Sequence, residues 1–429
     1  MNRMVMRPPC SVSASLSRLP SLSLSRSISS SSFSPSRQPV IVSAVRTPIG
    51  SFGGCLSSLK GPELGSIAIR GAIEKAGIPP EYVQEAIMGN VCSAGVGQAP
   101  ARQAALGAGM AQSSIATTVN KVCASGMKAT ALAAMGVMLG QSDVCIAGGF
   151  ESMSNIPFLL DKARFSGYRY GNGRLIDGLI HDGLWDPYGD HHMGVCAEKC
   201  AKDYGISRAE MDAHTMESYR RCKDAMANGY FKNEIIPVSI MSKKGETIIT
   251  EDEEPNKIKP EKISMLKPAF KPGDEGTVTA ANSSSINDGG AALLIMSLAR
   301  AQELRLTPLA RILSFADAEQ APIDFTTAPA IAIPKALKLA GLSTDNVDLW
   351  EINQAFSVVA LANQRLLDID PSKVDICGGA VVLGHPIGCS GARIITTLLH
   401  NMIRKGKAVG AAGICNGGGG ASAIVIEQM

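Results

Sequence analysis

Residues 68–83 read AIRGAIEKAGIPPEYV, and residues 332–347 read AIPKALKLAGLSTDNV. The two segments agree at an offset of 264, and their apolar positions keep the spacing of a helix. The repeated residues are Ala68, Ile69, Ala72, Ala76, Gly77 and Val83, which recur as Ala332, Ile333, Ala336, Ala340, Gly341 and Val347. Gly77 and Gly341 fall where a helix C-cap belongs. The pattern predicts the same helix twice in one chain.

A second match, at an offset of 265, follows in the same order. Cys123-Ala-Ser-Gly-Met-Lys-Ala aligns with Gly388-Cys-Ser-Gly-Ala-Arg-Ile. The identical pairs are Ser125 with Ser390, Gly126 with Gly391, and Ala147-Gly148 with Ala412-Gly413. Two matches in nearly the same register indicate a duplicated unit.

Each half alternates short β-branched or glycine-rich strands with alanine-rich helices, which is typical of sheets covered by helices. Four segments have the composition of strands: Val40–Val45, Val144–Gly148, Val374–Cys377 and Ala423–Glu427. We therefore expect an α/β fold built from two related halves.

The segment 155–282 differs from both halves. His, Tyr, Trp and charged residues gather there, and the run Glu251-Asp-Glu-Glu-Pro precedes a lysine-rich stretch. Long excursions of this kind commonly build a binding site. We expect a loop domain at 155–282, an N-terminal half formed by 39–154 with 283–303, and a C-terminal half at 304–429.

The N-terminal residues 1–38 contain five Arg and fourteen Ser but no Asp or Glu. This composition is typical of an organelle transit peptide, and a disordered tail is the alternative. The chain ends in Ile-Glu-Gln-Met rather than in a Ser-Lys-Leu type peroxisomal signal. We expect residues 1–38 to be a mitochondrial transit peptide and the protein to work in the mitochondrial matrix.

The remainder of the 429-residue chain is nearly neutral, because removing those five Arg changes the net charge from +3 to −2. Such a balance gives no support to a nucleic-acid partner. No stretch approaches the roughly 18 consecutive apolar residues of a membrane helix, so no membrane span is expected. The 11 Cys are scattered and odd in number, which favours free thiols over a disulfide scaffold.

Cys123 and His385 are candidates for nucleophilic chemistry. Cys123 precedes a strong alanine-rich helix, where the helix dipole and free N–H groups favour a thiolate. His385 lies in the Gly-rich turn before the helix that matches the Cys123 helix in the repeat. Equivalent helix ends in a duplicated fold are expected to approach each other, which would bring the imidazole beside the thiol. The alternatives are an inert buried Cys and a structural His.

Two further segments carry candidate groups. Cys415 begins Cys415-Asn-Gly-Gly-Gly-Gly, whose backbone N–H groups can bind an oxyanion. Asn353, in Trp350-Glu-Ile-Asn-Gln-Ala-Phe-Ser, can direct its amide into a site. An inert core thiol and a plain helix N-cap are the alternatives. His191-His192-x3-Cys196-x3-Cys200 is a weaker candidate for zinc, with a helix packing its Cys face into the core as the alternative.

These four motifs, in this order, resemble those of the thiolases. Lys-Val-Cys123-Ala-Ser-Gly is similar to the nucleophile motif of the family, Asn353-Gln-Ala-Phe to Asn-Glu-Ala-Phe, Gly384-His-Pro to Gly-His-Pro, and Cys415-Asn-Gly to Cys-x-Gly. The resemblance covers nearly all of residues 39–429 and is greatest to the mitochondrial acetoacetyl-CoA members. It implies two βαβαβαββ halves in a five-layered αβαβα core with an inserted loop domain.

The resemblance also implies roles for these residues. Cys123 would accept the acetyl group, His385 would deprotonate its thiol, and Cys415 would exchange the α-proton of a second acetyl-CoA. One oxyanion hole would consist of His385 with a water held by Asn353, and the other of the backbone N–H groups of Cys123 and Gly417. No organic cofactor would be required.

Coenzyme A, as substrate, would bind at the insertion. The residues implied to contact it or shape the acyl pocket are Tyr219, Lys257, Ile258, Lys259, Lys262, Ser284, His192, Met193 and Phe325. Mitochondrial acetoacetyl-CoA thiolases also bind potassium, and the matching residues here are Tyr219, Ala280, Ala281, Ser283 and Val381. Gln354 stands where the family commonly has Glu, and Ser283 where Ala is usual.

The implied activity is acetyl-CoA C-acetyltransferase, the reversible condensation of two acetyl-CoA to acetoacetyl-CoA and CoA, with 2-methylacetoacetyl-CoA as a further substrate to test. The alternatives are a long-chain 3-ketoacyl-CoA thiolase and a non-catalytic acyl-CoA or lipid-binding protein. The family is typically tetrameric, so a homotetramer is expected.

Overall fold

The computed structural model describes residues 35–164, 167–243, 245–273 and 275–429. The predicted transit peptide, except for its last four residues, lies outside them. The strands are β1 (Pro39–Arg46), β2 (Gly50–Ser51), β3 (Glu85–Gly89), β4 (Ile115–Val119), β5 (Val144–Ser152), β6 (Phe158–Leu160), β7 (Leu175–Asp177), β8 (Trp185–Asp186), β9 (His191–His192), β10 (Val238–Ser242), β11 (Gly245–Ile249), β12 (Asn287–Ser297), β13 (Ala310–Glu319), β14 (Leu349–Ile352), β15 (Val409–Asn416) and β16 (Gly420–Gln428). The α-helices are α1 (Gly61–Ala76), α2 (Pro100–Gly107), α3 (Ser125–Leu139), α4 (Met193–Asp203), α5 (Arg208–Ala227), α6 (Leu298–Glu303), α7 (Pro329–Leu339), α8 (Ser357–Leu367), α9 (Ala380–Leu383) and α10 (Ile387–Lys405).

The largest sheet joins the two halves. Its strands follow the order β14-β15-β16-β13-β1-β12-β5-β3-β4, with β2 paired to β12. β1 and β13, the first strands of the two halves, meet antiparallel, where Val40 pairs with Arg311 and Ile41 with Ala310. Outward from this joint, β12, β5 and β3 on one side correspond in order and direction to β16, β15 and β14 on the other, as a duplication with pseudo-two-fold symmetry requires. Among the described residues, β4 has no equivalent strand in the second half.

Three of the four predicted strands are confirmed, because they lie within β1, β5 and β16. The strand predicted at Val374–Cys377 is wrong. Val374 makes only an isolated parallel bridge to Trp350 of β14. The next residue, Asp375, has a left-handed φ of 47°, which turns the chain away from the sheet after one contact.

The helices pack in three layers around the two halves of the sheet. α3 and α10 contact each other and strands of both halves, α1 and α2 cover the outer face of the first half, and α7 covers that of the second. Side chains alternate accordingly: in β5, Cys145 and Ala147 face the central helices, whereas Val144 and Ile146 face α1. This architecture confirms the duplicated α/β fold with five αβαβα layers.

The duplication extends to contacts that the sequence comparison did not reveal. β1 and β13 each contain a β-bulge, and after each bulge a serine donates to the repeated helix. The two hydrogen bonds, from Ser43 Oγ to Ala72 O and from Ser314 Oγ to Ala336 O, are both 2.6 Å long. The predicted C-cap glycine is confirmed at Gly77, where φ is 70°, whereas Gly341, with φ of 71°, lies one residue after Ala340, the C-cap of α7.

α3 and α10 cross at the other repeated pair of glycines. A Cβ on Gly126 would lie 2.8 Å from the backbone nitrogen of Ala392, and a Cβ on Gly391 would lie 2.4 Å from that of Met127. A side chain at either position would force the helices apart. The close crossing therefore brings the N-terminal ends of the two helices together.

The residues around α3 also explain an apolar stretch. In the described part of the chain, 122–139 is the one helical segment long and apolar enough to cross a membrane. Most of it is buried, in contact with α10, β3 and β5. Packing in the central layer accounts for its composition.

The segment between β5 and β12 contributes α4, α5 and three small two-stranded sheets. It is joined to the core at Arg46, the last residue of β1. Arg46 Nε donates to Glu234 Oε1 at 2.6 Å, and its two terminal nitrogens donate to Asp252 at 2.7 and 2.9 Å. All three side chains are buried, so this ion-pair network holds the later part of the segment against the sheet.

Candidate active site

A cavity of about 550 Å³ lies where the segments preceding α3 and α10 meet. Its walls come from both halves and from the insertion. The predicted site residues that line it are Cys123, His192, Met193, Lys257, Ala280, Ser283, Ser284, Phe325, His385 and Gly417. The others, which do not form its surface, are Tyr219, Ile258, Lys259, Lys262, Ala281, Asn353, Val381 and Cys415.

A strained turn presents Cys123 to this cavity. Val122 has a φ of 47°, which is unusual for a β-branched residue. Ser125 holds the turn, because its Oγ accepts from the Lys121 N–H at 2.8 Å and donates to Val122 O at 2.6 Å. α3 begins at Ser125, so Cys123 lies two residues before the helix.

The Cys123 thiol is protonated in the resting protein. Burial raises its pKa to about 12, while the backbone N–H groups of Gly417 and of Cys123 itself oppose the rise and the Glu151 carboxylate adds to it. The prediction that the helix end favours a thiolate is therefore wrong for the resting site, because the loss of water on burial outweighs the two backbone N–H groups at the sulfur. A nucleophilic role for this thiol would need a base.

His385 is a neutral imidazole on the same cavity. Only 5% of the residue is exposed, and burial lowers its pKa to about 3, with the Arg393 guanidinium adding to the effect. At neutral pH it therefore carries one ring hydrogen and one free lone pair.

The ring orientation assigns that lone pair to Nε2. Nδ1 lies 2.6 Å from Ser390 Oγ, and Ser390 Oγ donates to Pro386 O at 2.9 Å. With the single serine hydrogen assigned to Pro386 O, Nδ1–H donates to Oγ, which leaves Nε2 as the acceptor. Nε2 is buried and has no hydrogen-bond partner among the described residues. The site thus holds a thiol together with an unused base.

Asn353 and Cys415 lie at neighbouring strands of the second half, Asn353 just after the end of β14 and Cys415 within β15. Asn353 follows β14 and its N–H donates to Gly413 O, yet neither its Oδ1 nor its Nδ2 has a partner among the described residues, although both are buried. Cys415 pairs with Ala421 inside the β15–β16 ladder, so it belongs to the strand rather than to the glycine loop. Both side-chain groups therefore occupy rigid positions.

Cys415 is the second buried thiol of the site. It packs in one apolar cluster with Met193 and Phe325, both of which line the cavity. Burial raises the pKa of Cys415 well above its ordinary value, and the sulfur of Cys123 contributes to the rise. The structure therefore brings two protonated thiols and one neutral imidazole together.

The cavity wall beside the thiols is apolar and closely packed. The His192 ring stacks on Phe270 with centroids 4.7 Å apart. A Cβ on Gly417 would lie 3.4 Å from the Met193 sulfur. Apolar side chains therefore form the cavity wall on this side.

The residues expected to bind coenzyme A and potassium are divided between two places. Lys257 Nζ lies at the cavity, 2.7 Å from Glu253 Oε1, whereas Lys259 and Lys262 are exposed elsewhere. Tyr219 and Ile258 pack with Val381 in a separate apolar cluster. The carbonyl oxygens of Ala280 and Ala281 accept no hydrogen bond from the described residues.

The zinc candidate has a different environment. His191 Nε2 lies 3.3 Å from Cys196 Sγ, and Cys196 and Cys200 pack in the apolar cluster that contains Cys415. Within the described ranges, no three His, Cys, Asp or Glu side chains are grouped to hold a metal ion. The i,i+4 spacing of these thiols places them on the buried face of α4.

The sequence reasoning missed Glu151, near the end of β5. Its Oε2 accepts from the N–H groups of Val91 and Gly388, both at 3.0 Å. Its Oε1 accepts from the Asn90 amide at 2.9 Å and from the Cys92 N–H at 3.2 Å. This carboxylate joins the N-terminus of α10 to the loop after β3. The sequence signal that could have indicated Glu151 was an acidic residue at the end of a glycine-rich strand.

Comparison with known proteins agrees with this geometry. Family models for the thiolase N-terminal and C-terminal domains match residues 39–299 and 306–428. The chain is 56% identical over 391 residues to a probable acetyl-CoA acetyltransferase of Dictyostelium discoideum, covering 91% of this chain and 94% of the relative. It is 55% identical to a mitochondrial acetyl-CoA acetyltransferase of Danio rerio, covering 91% and 92%. The crystal structure of the Acat5 thiolase of Ascaris suum in complex with coenzyme A superposes with a TM-score of 0.87 at 45% identity, covering 91% of this chain and all of the other.

Proposed function

This chain belongs to the thiolase family, and we propose that it is an acetyl-CoA C-acetyltransferase. It would condense two acetyl-CoA reversibly to acetoacetyl-CoA and CoA. The observation that carries the proposal is the Cys123 thiol on one cavity with the unpartnered Nε2 of His385. The names of its relatives support acetyl as the transferred group.

The first half-reaction acetylates Cys123. His385 Nε2 takes the thiol proton as the Cys123 sulfur attacks the carbonyl carbon of acetyl-CoA. The new carbon–sulfur bond replaces the bond to the CoA sulfur, and CoA leaves as a thiol with the proton from His385. Because the resting pair is neutral, the thiolate and the imidazolium form only when a substrate carbonyl is present to share the charge.

The second half-reaction forms the carbon–carbon bond. The Cys415 thiol first gives its proton to His385, which is neutral again once CoA has left. The Cys415 thiolate then takes an α-proton from a second acetyl-CoA, and the resulting carbanion attacks the acetyl-Cys123 carbonyl. The bond to the Cys123 sulfur breaks, the sulfur takes the proton from His385, and acetoacetyl-CoA leaves. In thiolysis, Cys415 returns the proton to the departing acetyl-CoA carbanion. Burial of Cys415 beside Met193 and Phe325 supports this role, since it keeps bulk water from the carbanion.

Two oxyanion holes would stabilise the negative oxygens of these steps. After His385 accepts the thiol proton, Nε2–H becomes a donor, and a water held by Asn353 would supply the second hydrogen bond. The unpartnered amide of Asn353 supports that assignment. The backbone N–H groups of Cys123 and Gly417, which face the sulfur, would form the other hole.

Coenzyme A would enter along the insertion. Lys257 and Ser284 line the cavity and support an entry there. Exposed Lys259 and Lys262 would meet phosphate groups outside the cavity. On this basis we propose that 155–282 is a loop domain. It is inserted between 39–154 and 283–303, which form the N-terminal half, and the C-terminal half at 304–429 follows.

Potassium would bind beside that entry, through Tyr219, Ala280, Ala281, Ser283 and Val381. The carbonyl oxygens of Ala280 and Ala281, which accept no hydrogen bond within the described ranges, support this site, because backbone oxygens are suitable ligands for a hard cation. The ion would order the loop that contains Ser284. A melting temperature higher in potassium chloride than in equimolar sodium chloride would support the site, and equal values would contradict it.

We further propose that the protein is a homotetramer and that it works in the mitochondrial matrix. Exposed Phe158, Leu160 and Leu175 on the β6–β7 hairpin and exposed Ile115 on the edge strand β4 provide two apolar surfaces for contacts between subunits. Residues 1–38 and the mitochondrial relative of Danio rerio support the location. Light scattering and import into isolated mitochondria test these two points.

The reaction can be tested with the full chain and acetoacetyl-CoA. We expect thiolysis, and one acetyl group on Cys123 after incubation with acetyl-CoA and proteolysis. Cys123→Ser should lack both. Cys415→Ser should still acetylate Cys123 but should not exchange the α-hydrogens of acetyl-CoA with deuterated water. Assays with 2-methylacetoacetyl-CoA would extend the substrate range.

Cys92→Ala is the matched control, because Cys92 is a buried thiol in the same apolar cluster as Cys123 and has no proposed role. It should retain turnover. Activity that increases with acyl-chain length would favour the long-chain thiolase. A folded wild-type protein without turnover would leave only the acyl-CoA-binding alternative.

A further inference from the structure

Gln354 follows Asn353 at a position where the thiolase motif commonly has Glu, and its side chain is buried. Its Nε2 donates to Asp375 Oδ2 at 2.7 Å, and its Oε1 accepts from Ser218 Oγ at 3.0 Å. Both ends of the amide are therefore used. In this chain, Asp375 supplies the carboxylate of this hydrogen bond and Gln354 supplies the amide.

Asp375 holds the chain on both sides of Asn353. Its Oδ2 accepts from Gln354, and its Oδ1 accepts from the Ile352 N–H at 2.9 Å. Burial raises the pKa of Asp375 to about 6, and the hydrogen bonds from Gln354 and Ile352 oppose that rise. Because the Asn353 amide has no partner of its own among the described residues, the residues on either side of it determine where it points.

The same network reaches the segment that leads to His385. Ser218 Oγ accepts from the Gly379 N–H at 3.0 Å. A Cβ on Gly379 would lie 2.3 Å from Gln354 Cδ, so the amide packs directly against this backbone. Gly379 precedes α9, and α9 leads to His385. Gln354 thus contacts the chain on both sides of the first oxyanion hole.

We propose that Asp375 is a positioning residue for this reaction: through Gln354 and the Ile352 N–H, it fixes the Asn353 amide relative to His385. Gln354 and Asp375 form a matched amide–carboxylate pair in which the two groups can be exchanged. This inference rests on the proposed function and adds two residues to it. Neither residue touches substrate.

A double-mutant cycle tests the pair. In Gln354→Glu, the new carboxylate faces the carboxylate of Asp375. In Asp375→Asn, the N–H₂ group of the new amide faces either Gln354 Nε2 or the Ile352 N–H, and both of these are donors. We expect each change to lower kcat about 10- to 100-fold, with little change in KM, because misplacement of the oxyanion hole acts on the transition state. In the combined variant the new carboxylate at position 354 can accept from the new amide at position 375 and from Ser218. Its kcat should therefore return to within about threefold of wild type.

Asp348→Asn is the matched control. Asp348 lies at the opposite end of β14, where its Oδ2 accepts from the N–H groups of Ala408 and Val409, both at 3.0 Å. It holds backbone as Asp375 does but has no connection to Asn353. Its loss should lower the melting temperature and leave kcat unchanged.

Crystal structures give a readout that does not depend on turnover. The Asn353 amide should be displaced in Gln354→Glu and restored in the combined variant. Losses of kcat that simply add in the double variant, or an Asn353 amide that stays in place in both single variants, would overturn the proposal. If the wild type lacks acetyl transfer, the proposed function fails, while the displacement of Asn353 still decides the positioning role.

Discussion

Alanine at Gly126 or Gly391 is expected to destabilise the protein, whereas alanine at Gly136, in the same helix as Gly126, is expected to stabilise it. All three substitutions add one methyl group inside a helix. They differ in the atoms that the new methyl group would contact. At Gly136 the nearest atom is a Glu85 carboxylate oxygen at 3.9 Å, which is an ordinary contact.

The magnitudes follow from these distances. Alanine in a helix interior is about 1 kcal/mol more favourable than glycine, so Gly136→Ala should stabilise the protein by up to that amount. At Gly126 the new Cβ would lie 2.8 Å from a backbone nitrogen of α10, and at Gly391 it would lie 2.4 Å from a backbone nitrogen of α3. Overpacking of this kind costs about 1–3 kcal/mol, and Gly391→Ala should be the more severe of the two.

A change in activity should accompany the loss of stability. To accept the methyl of Gly391→Ala, the helices must separate by about 1 Å at the crossing, because the new Cβ would lie 2.4 Å from a backbone nitrogen and ordinary contact begins at 3.4 Å. This separation moves the segment carrying Cys123 away from the segment carrying His385. A displacement near 1 Å in a catalytic pair lowers kcat about 100-fold. Gly136→Ala should retain full activity.

Urea denaturation followed by tryptophan fluorescence measures the stability difference, because Trp350 is buried in the core of the second half. Acetoacetyl-CoA thiolysis measures the activity. If Gly391→Ala is as stable and as active as the wild type, the close crossing does not hold the two site segments together. A Gly136→Ala variant that loses as much stability as Gly126→Ala would show that the effect is general to α3.

Three other predictions concern single side chains. Arg46→Met should cost about 3–5 kcal/mol in the free energy of unfolding, since it leaves Glu234 and Asp252 buried without their cation; a loss below about 1 kcal/mol in urea denaturation would contradict this. Ser390→Ala should lower kcat about 10- to 100-fold while KM stays near its wild-type value, because Nδ1 loses the partner that keeps the lone pair on Nε2; unchanged kcat would contradict that assignment. The pKa of His385 is lowered to about 3 in the folded protein and lies near 6.5 in the unfolded chain, so its contribution to stability is present above pH 6.5 and is lost as pH falls toward 3. His385→Gln should therefore lose stability less steeply than the wild type between about pH 6.5 and 4, by at most about 1.4 kcal/mol per pH unit, and parallel curves would contradict the neutral imidazole.

The sequence predicted what depends on local pattern. The repeated helices, the glycine cap of α1 and three of four strands could be read from spacing, because each is formed by neighbours in the chain. The strand at Val374–Cys377 failed because Asp375 turns the backbone after a single bridge, and its side chain is used to hold residues 352 and 354 instead. Composition alone does not distinguish a β-branched segment that forms a strand from one that makes only a single bridge.

The protonation state of Cys123 could not be predicted for a related reason. A helix end lowers the pKa of a thiol through groups next to it in sequence, whereas burial depends on residues that are far away. Gly417, nearly three hundred positions later, forms part of the cavity wall around the sulfur, although its N–H partly opposes the rise in pKa. The rise in pKa caused by burial among distant residues is larger than the lowering caused by the N–H groups at the sulfur.

The repeat itself explains why the duplication predicts the fold better than the chemistry. At the offset of 265, Cys123 corresponds to Gly388, and His385 corresponds to Asn120. By the registers of β3 with β5 and of β14 with β15, Asn353 corresponds to Gly89 and Cys415 to Phe150. Each candidate catalytic group thus has an equivalent that cannot perform its reaction. The symmetric scaffold brings two helix ends and two strand ends to one place, and the proposed reaction requires the halves to differ there, because the thiol supplied by one half needs a base supplied by the other.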